Sequence, residues 1–571
     1  MIKRCGFILM VTLAVAGAGA RPLPDFGVVF NDDADLAFVV PDRARSEALL
    51  DANLTALADT PVKTLVYCVG MGGDLLYYNT AVASRVGWRK SPDEKPGSLM
   101  EKRIESARAC LAQGADAVRT AGETAKRRGL RFIPSLRMND AHFMVDPDAH
   151  AMTSEFWFKH RHEYTIKESP LAFQPAYGNL LDFTHDAVRQ LRLATVEEVL
   201  ARYHDLVDGF ELDFNRFQVF FPKGRAIAGA PLITDLVRKV RARLEALALA
   251  EGRPLYLFVR VPPSLTDATT AGLEVARWMS EGLVDVVSPA QIMTLAGDMP
   301  IDDLVALAKR HDVKVYPSLY PRTSWRLPFP ANRPDRYAGA LLSRDATLEE
   351  IRGAAANYRA TGVDGFYLFN FYNAFGSSRP HDDRLHRVFR DLARPENLPG
   401  QSVVYAVTKS YYNDGRDSYA YGKQLPARFS PEGRLSLVLA VAERPRAVPF
   451  PLQTCELRLG FRALPAAMVM EVQLNGQVVL AGRPADSARI STRQVTKSAP
   501  KAKDAAEDYL HIPLAWPGPL VSGPNSIAIA LAGAGAAVEL TDLEIRFDYQ
   551  NDYEKLWRRE VVELNAPPIR K

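Results

Sequence analysis

The chain has 571 residues, 47% of them hydrophobic and 24% charged, which is a globular composition too long for one ordinary core. A net charge of +4 spread over that length gives no footprint for nucleic acid or an anionic membrane surface. Four cysteines without C-x-x-C spacing speak against a thiolate zinc site.

The first twenty residues have the pattern of an export signal. Lys3 and Arg4 are followed by an apolar run from Phe7 to Val15, then by the small residues Ala18-Gly19-Ala20. The run is short for a membrane span. The expectation is a secreted or periplasmic protein with no membrane insertion after signal cleavage. Of the cysteines left, Cys68 and Cys110 either pair or sit as small buried apolar residues, and Cys455 stands apart.

From residue 26 to about 395, short runs rich in Val, Ile, Leu, Phe and Tyr alternate with longer stretches of helical period. The runs predict eight strands: Gly27 to Phe30, Lys63 to Val69, Leu130 to Arg137, Gly209 to Phe214, Leu255 to Val261, Val284 to Ser288, Val313 to Leu319 and Gly365 to Phe371. Apolar stripes predict helices between them. One runs through Ile104, Ala107, Leu111, Ala115 and Val118, a second through Leu191, Val199, Leu200 and Tyr203, and a third from Ile233 to Leu247. Repeated strand–helix units require parallel pairing through crossover helices, and the closed solution is a (β/α)8 TIM barrel. An open doubly wound sheet is the alternative, but Gly70-Met71-Gly72-Gly73 lacks the spacing of a phosphate loop.

Residues 140–185 and 320–345 are long connections leaving the carboxyl ends of predicted strands, where barrels build their sites. Both carry aromatics: Phe156, Trp157, Phe158, Tyr164, Phe173 and Tyr177 in one, and Tyr320, Trp325, Phe329 and Tyr337 in the other. Such rings suit the flat faces of sugars, or simply pack the loops down. Beyond residue 400 the helical period disappears. Short alternating strands, with Asn475-Gly476 as a hairpin signal, predict an antiparallel β-sandwich. The expected organisation is a signal peptide at 1–20, a barrel catalytic domain at 21–398, a connector at 399–430, a β-sandwich accessory domain at 431–552 and a C-terminal tail at 553–571.

The chemistry centres on Asp208-Gly209-Phe210-Glu211-Leu212-Asp213. Strand alternation puts Phe210, Leu212 and Phe214 on the helix-facing side and Glu211 and Asp213 inside the barrel. Two crowded inward carboxyls push their pKa values apart, which is what acid–base or nucleophilic sugar chemistry needs, or they form a buried structural pair held by Arg residues on neighbouring strands. Asp213 is the expected nucleophile or base, with Glu211 or Asp140 as general acid. Arg137, Asn139, His142, Arg260, Gln291, Tyr320, Asn370 and Tyr372 are expected at the same rim as substrate-binding groups. No strand after the fourth ends in a clear Asp or Glu. Six of the ten histidines (His142, His150, His160, His162, His185 and His204) bunch in one region. They raise a metal-dependent hydrolase as an alternative, though without an H-x-x-x-H helix; the main reading needs no metal and no cofactor. The absence of a late carboxylate raises another, a glycan-binding protein on a degenerate barrel.

The run Leu181-Asp182-Phe183-Thr184-His185-Asp186, the helix segment Glu198 to Tyr203 and the strand Asp208 to Phe214 together resemble the family-ten-like glycosyl hydrolases of bacteria. The segment Ser135-x-Arg137-Met138-Asn139-Asp140-x-His142 is similar to an exported branch of that group. The resemblance covers residues 26–395. It implies a TIM barrel that hydrolyses a carbohydrate, with Asp213 and Glu211 on the acidic strand and no assigned second catalytic residue.

Overall fold

The computed structural model describes residues 23–550, apart from 72–73, 91–96, 143, 145, 171–174, 293, 326–341, 372–382, 395–399, 409–423, 432, 444–450, 463, 466, 495–505 and 533–536. The export signal, the C-terminal tail, Phe173, Phe329, Tyr337 and Tyr372 lie outside the described residues.

The first unit is mixed α/β. Its parallel sheet has nine strands: β1 (Val28–Asp32), β2 (Val62–Cys68), β3 (Arg131–Arg137), β4 (Gly209–Asp213), β5 (Tyr256–Val261), β6 (Val286–Pro289), β7 (Lys314–Val315), β8 (Ser318–Leu319) and β9 (Phe366–Leu368). The spatial order is β7-β6-β5-β4-β3-β2-β1-β9-β8. The two ends of this path, β7 and β8, are separated in sequence only by Tyr316 and Pro317. Pro317 has no N–H to give a ladder. Ala290, just after β6, also bridges to Ser318 of β8 in parallel.

Buried side chains fall on the two faces expected from alternation. Phe210, Leu212 and Phe214 join the core between sheet and helices. Val29, Val66, Ile133, Phe258, Val286, Tyr316 and Tyr367 form a separate cluster on the other face. Phe26 seals the amino end of that inner cluster, edge-on to Tyr256 and Phe258 with ring centroids 5.1 and 5.0 Å away. Burial of these rings leaves the carboxyl ends of the strands as the polar end.

The helices follow local signals. α1 (Arg43–Thr55) is capped by Asp42, which accepts from the Arg45 N–H. The stripe from Ile104 to Val118 is two helices rather than one, α2 (Leu99–Ala112) and α3 (Ala117–Arg127). Gly114, at φ +80°, turns the chain between them, and Asp116 caps the second. α4 (Glu155–Tyr164) lies within the long connection after β3. α5 (Asp186–Arg202) and α6 (Ala226–Glu251) flank β4, and α7 (Leu265–Thr270), α8 (Val275–Ser280) and α9 (Asp302–Arg310) follow. α10 (Leu348–Thr361) begins with a Thr347–Glu350 capping box and ends at Gly362, φ +86°. α11 (Asp383–Ala393) closes the unit.

The second unit is antiparallel, with one six-stranded and one four-stranded sheet. The two sheets share one buried cluster, including Leu457, Leu459, Ile545 and Phe547 from one and Leu439, Val472, Ile527 and Ile529 from the other. The Asn475-Gly476 hairpin forms as the sequence indicates, between Val469–Leu474 and Gln477–Gly482. Strands Val403–Ala406 and Ala427–Phe429, from the segment expected to be a connector, pair with Val538–Tyr549. Gly353 of α10 packs on Val404: a Cβ there would lie 1.9 Å from the Val404 carbonyl oxygen. Among the described residues no helix is long and apolar enough to cross a membrane. Cys68, Cys110 and Cys455 are free thiols, so the Cys68–Cys110 pairing left open by the sequence does not form.

Candidate active site

Register aligns Ser135 of β3, Glu211 of β4 and Phe258 of β5 in one layer, and Arg137, Asp213, Arg260 and Ser288 in the next layer toward the carboxyl ends. Glu211 is fully buried. Its Oε1 accepts from the Ser135 hydroxyl at 2.7 Å and, from the opposite wall, from the Tyr367 hydroxyl at 3.0 Å. Its Oε2 has no partner among the described residues. Burial first, and then the charge of Asp213, pushes the Glu211 carboxyl up to about 7. A carboxyl that keeps its proton near neutrality is a hydrogen-bond donor and a potential acid.

Asp213 is held differently. Arg260 donates to it through both Nε and Nη2, at 3.1 and 2.7 Å. The backbone N–H groups of Asn215 and Arg216 donate to the same Oδ1 at 2.9 and 3.1 Å. The pair is buried, with side-chain exposures of 2% and 4%. Arg260 also lies 3.9 Å over the Phe369 ring. A carboxylate taking four hydrogen bonds, two of them charge-assisted, has little electron density left to attack a carbon. This geometry argues against the nucleophile role expected from sequence and for a fixed negative charge.

A second chain of contacts runs along the rim. Arg137 bridges Asp33, at 2.6 Å, and Asp140, at 3.1 Å. Asp140 also accepts from the backbone N–H of His142, at 2.8 Å, and sits 2.6 Å from its Nδ1. Burial alone raises the Asp140 pKa, but the His142 ring, Arg137 and Arg216 together outweigh it and hold the carboxyl well below its ordinary value. Asp140 is therefore unsuited to be the general acid that the sequence allowed. Burial, assisted by the Arg216 cation, lowers the His142 pKa against the opposing pull of Asp140, so the ring is neutral at pH 7. Arg216 Nη2 lies 2.8 Å from His142 Nε2, which leaves Nδ1 to donate to Asp140.

The other expected site residues divide into two groups. Asn139 is spent on scaffolding, donating to the Leu181 and Val219 carbonyls at 2.9 and 2.7 Å. Tyr320 packs on Phe369 with ring centroids 6.1 Å apart and is hydrogen-bonded by Asn370. Among the described residues, Gln291 Oε1 and Asn370 Oδ1 are buried without a partner, as are Asn31 Oδ1, at the end of the first predicted strand, and Ser288 Oγ, which has no expected role. Asn370 also sits at φ +58°, a strained backbone held at the mouth. Unpaired buried polar groups collect at this end of the sheet, and each is costly unless a ligand or water meets it.

The aromatics of residues 140–185 mainly pack on one another. Trp157 is buried and donates to the Asn179 carbonyl at 2.7 Å. Tyr164 stacks near His160, centroids 5.0 Å apart, and Tyr177 meets Phe217 at 6.0 Å. The histidines disperse too: His204 pairs with Glu251, and His185 with Asp182. Among the described residues no group of three His, Cys, Asp or Glu side chains is placed to hold a metal ion.

No protein-family model matches the sequence, and no curated protein does. Solved structures to which the chain is similar include three carbohydrate-acting enzymes. A glycoside hydrolase family 18 N-acetylglucosaminidase from Paenibacillus barengoltzii is 12% identical with TM-score 0.35, over 64% of this chain and 100% of that one. A family GH18 chitinase from Chromobacterium violaceum is 10% identical with TM-score 0.36, over 90% and 89%. Alpha-L-fucosidase isoenzyme 1 from Paenibacillus thiaminolyticus is 13% identical with TM-score 0.30, over 89% and 97%. Likeness at this level assigns neither a family nor an activity.

Proposed function

We propose that this chain is an exported glycoside hydrolase, of the family-ten-like kind its motifs resemble, acting on a poly- or oligosaccharide. In this reading β7 and β8 are one strand interrupted at Pro317, which closes a (β/α)8 barrel, and the two antiparallel sheets form a β-sandwich. The observation that carries the proposal is the contrast between two neighbouring carboxyls. Glu211 keeps its proton near pH 7, while Asp213 is clamped as a salt-bridged carboxylate by Arg260. A raised carboxyl beside a salt-bridged one divides the labour of glycoside cleavage between a proton donor and a negative charge facing an oxocarbenium-like transition state. Glu211 takes the acid role and Asp213 the charge-stabilising one. Gln291, Asn370 and Ser288 offer hydrogen bonds to sugar hydroxyls.

A second reading, glycan binding without turnover, is favoured by one specific fact: Glu211 has 0% exposure and lies a layer below the rim. Hydrolysis then requires the sugar to descend past Asp213. The experiment is release of reducing ends from a broad panel of polysaccharides by the wild type and by Glu211→Gln. Turnover by the wild type that falls by about a hundredfold or more in the variant supports the acid role. Equal turnover in both removes Glu211 from the chemistry. Binding without any product selects the second reading.

A further inference from the structure

The three guanidinium groups at the rim differ in how their charge is spent. Arg137 is shared between Asp33 and Asp140, and Arg260 is committed to Asp213. Arg216, three residues beyond β4, makes no such carboxylate pair among the described residues, although it stands at the same mouth. It is nevertheless held in place. Its Nη2 donates to His142 Nε2 at 2.8 Å, and its guanidinium carbon lies 4.8 Å from the centre of the Phe217 ring. His142 in turn stands edge-on to Phe217, centroids 5.1 Å apart, and is fixed by Asp140 at 2.6 Å. Arg216 Nε is buried and meets no acceptor among the described residues. Asp140 and His142 thus aim a cation whose own partner is a neutral ring and an aromatic face.

We infer that Arg216 anchors an anionic substituent of the bound sugar, a ring carboxylate of the uronic-acid type. This deepens the glycan reading above and rests on it. The planar guanidinium fork matches a carboxylate with two parallel hydrogen bonds, a geometry that neither a hydroxyl nor a lysine reproduces. Tyr320 lies within electrostatic reach of the same cation, and Asn370, hydrogen-bonded to it, has a buried Oδ1 free to meet a sugar hydroxyl. Asp140 and His142 are positioning residues in this scheme, and Arg216 is the contact.

The test uses the full chain and two matched series of probes: polygalacturonate, alginate and glucuronoxylan, and the same polymers with their carboxyl groups chemically reduced. Binding is read by affinity electrophoresis at fixed ionic strength. The expected result is at least about tenfold tighter binding of one acidic polymer than of its reduced counterpart. Arg216→Gln then abolishes that preference while leaving the affinity for the reduced polymer unchanged, and Arg216→Lys restores only part of it. Equal affinity of the wild type for acidic and reduced forms overturns the inference but leaves the glycan reading standing. A preference that survives in Arg216→Gln also overturns it. Binding to no member of either series overturns the inference and counts against the glycan reading beneath it.

Discussion

At the scale of single residues, Asp213 and Arg260 set the terms on which the site can be probed. The alternation that turns Glu211 and Asp213 inward is legible in six residues of sequence. That an Arg on a neighbouring strand could hold them is legible too, but not which one, because Arg260 lies 47 positions away and only the register of β4 against β5 brings it alongside Asp213. Asp213→Asn, an isosteric change on sequence alone, therefore carries a cost that only the structure shows. The variant leaves Arg260 buried without its counter-charge and is expected to lose on the order of 3–5 kcal/mol by chemical denaturation, whereas Asp213→Leu combined with Arg260→Met recovers much of the loss. Stability equal to wild type in Asp213→Asn would show the clamp to be idle. Glu211 has the opposite signature. Its carboxyl is pushed up to about 7 in the folded protein, against about 4.3 in an unfolded chain. Between those values the folded state holds the extra proton, so stability falls as pH rises across the window. Glu211→Gln is expected to unfold at a higher temperature than wild type at pH 8, with the difference shrinking toward pH 5. A difference independent of pH would contradict the raised pKa.

Among the elements, strands were more legible than the connections that carry function. Runs such as Leu255 to Val261 are apolar on both faces, as strands of a buried parallel sheet must be, and all eight predicted runs contain strand. The boundary between α2 and α3 was missed because the apolar stripe continues in phase across Gly114, whose positive φ is a backbone property that periodicity does not register. The aromatic loop after β3 shows the limit of composition. Trp157 and Tyr164 have the right chemistry to stack on sugars, yet they pack against their own loop. Arg216 went unread because a charged residue just past a strand carries no periodic signal; its role depends on His142, which is 74 positions away. The strand that carries the carboxyls depends on Gly209, where a Cβ would lie 2.0 Å from the Tyr256 carbonyl oxygen. Gly209→Ala is expected to cost about 3 kcal/mol or more and to abolish activity together with the fold, read by circular dichroism on thermal unfolding. A stable, folded variant would mean that β4 and β5 separate more easily than their register implies.

For the whole molecule, the two units meet along α10, where Gly353 faces the Val404 carbonyl, a contact that no local sequence signal announces. Gly353→Ala forces that contact apart and is expected to lower the unfolding midpoint by about 2 kcal/mol of stability while leaving the rim chemistry of any folded protein unchanged. An unaltered midpoint would show that the antiparallel unit does not brace the first. The arrangement as a whole has a sealed amino end, a polar carboxyl end, and two carboxyls of contrasting character just inside that end. If this end cleaves glycosidic bonds through Glu211, the pH profile of reducing-end release reports it most directly. Turnover is expected to decline as pH rises through about 7, where Glu211 gives up its proton, and Glu211→Gln is expected to remove this limb along with most of the rate. Undiminished turnover in Glu211→Gln, or wild-type turnover that stays flat well above pH 7, would contradict that role for Glu211.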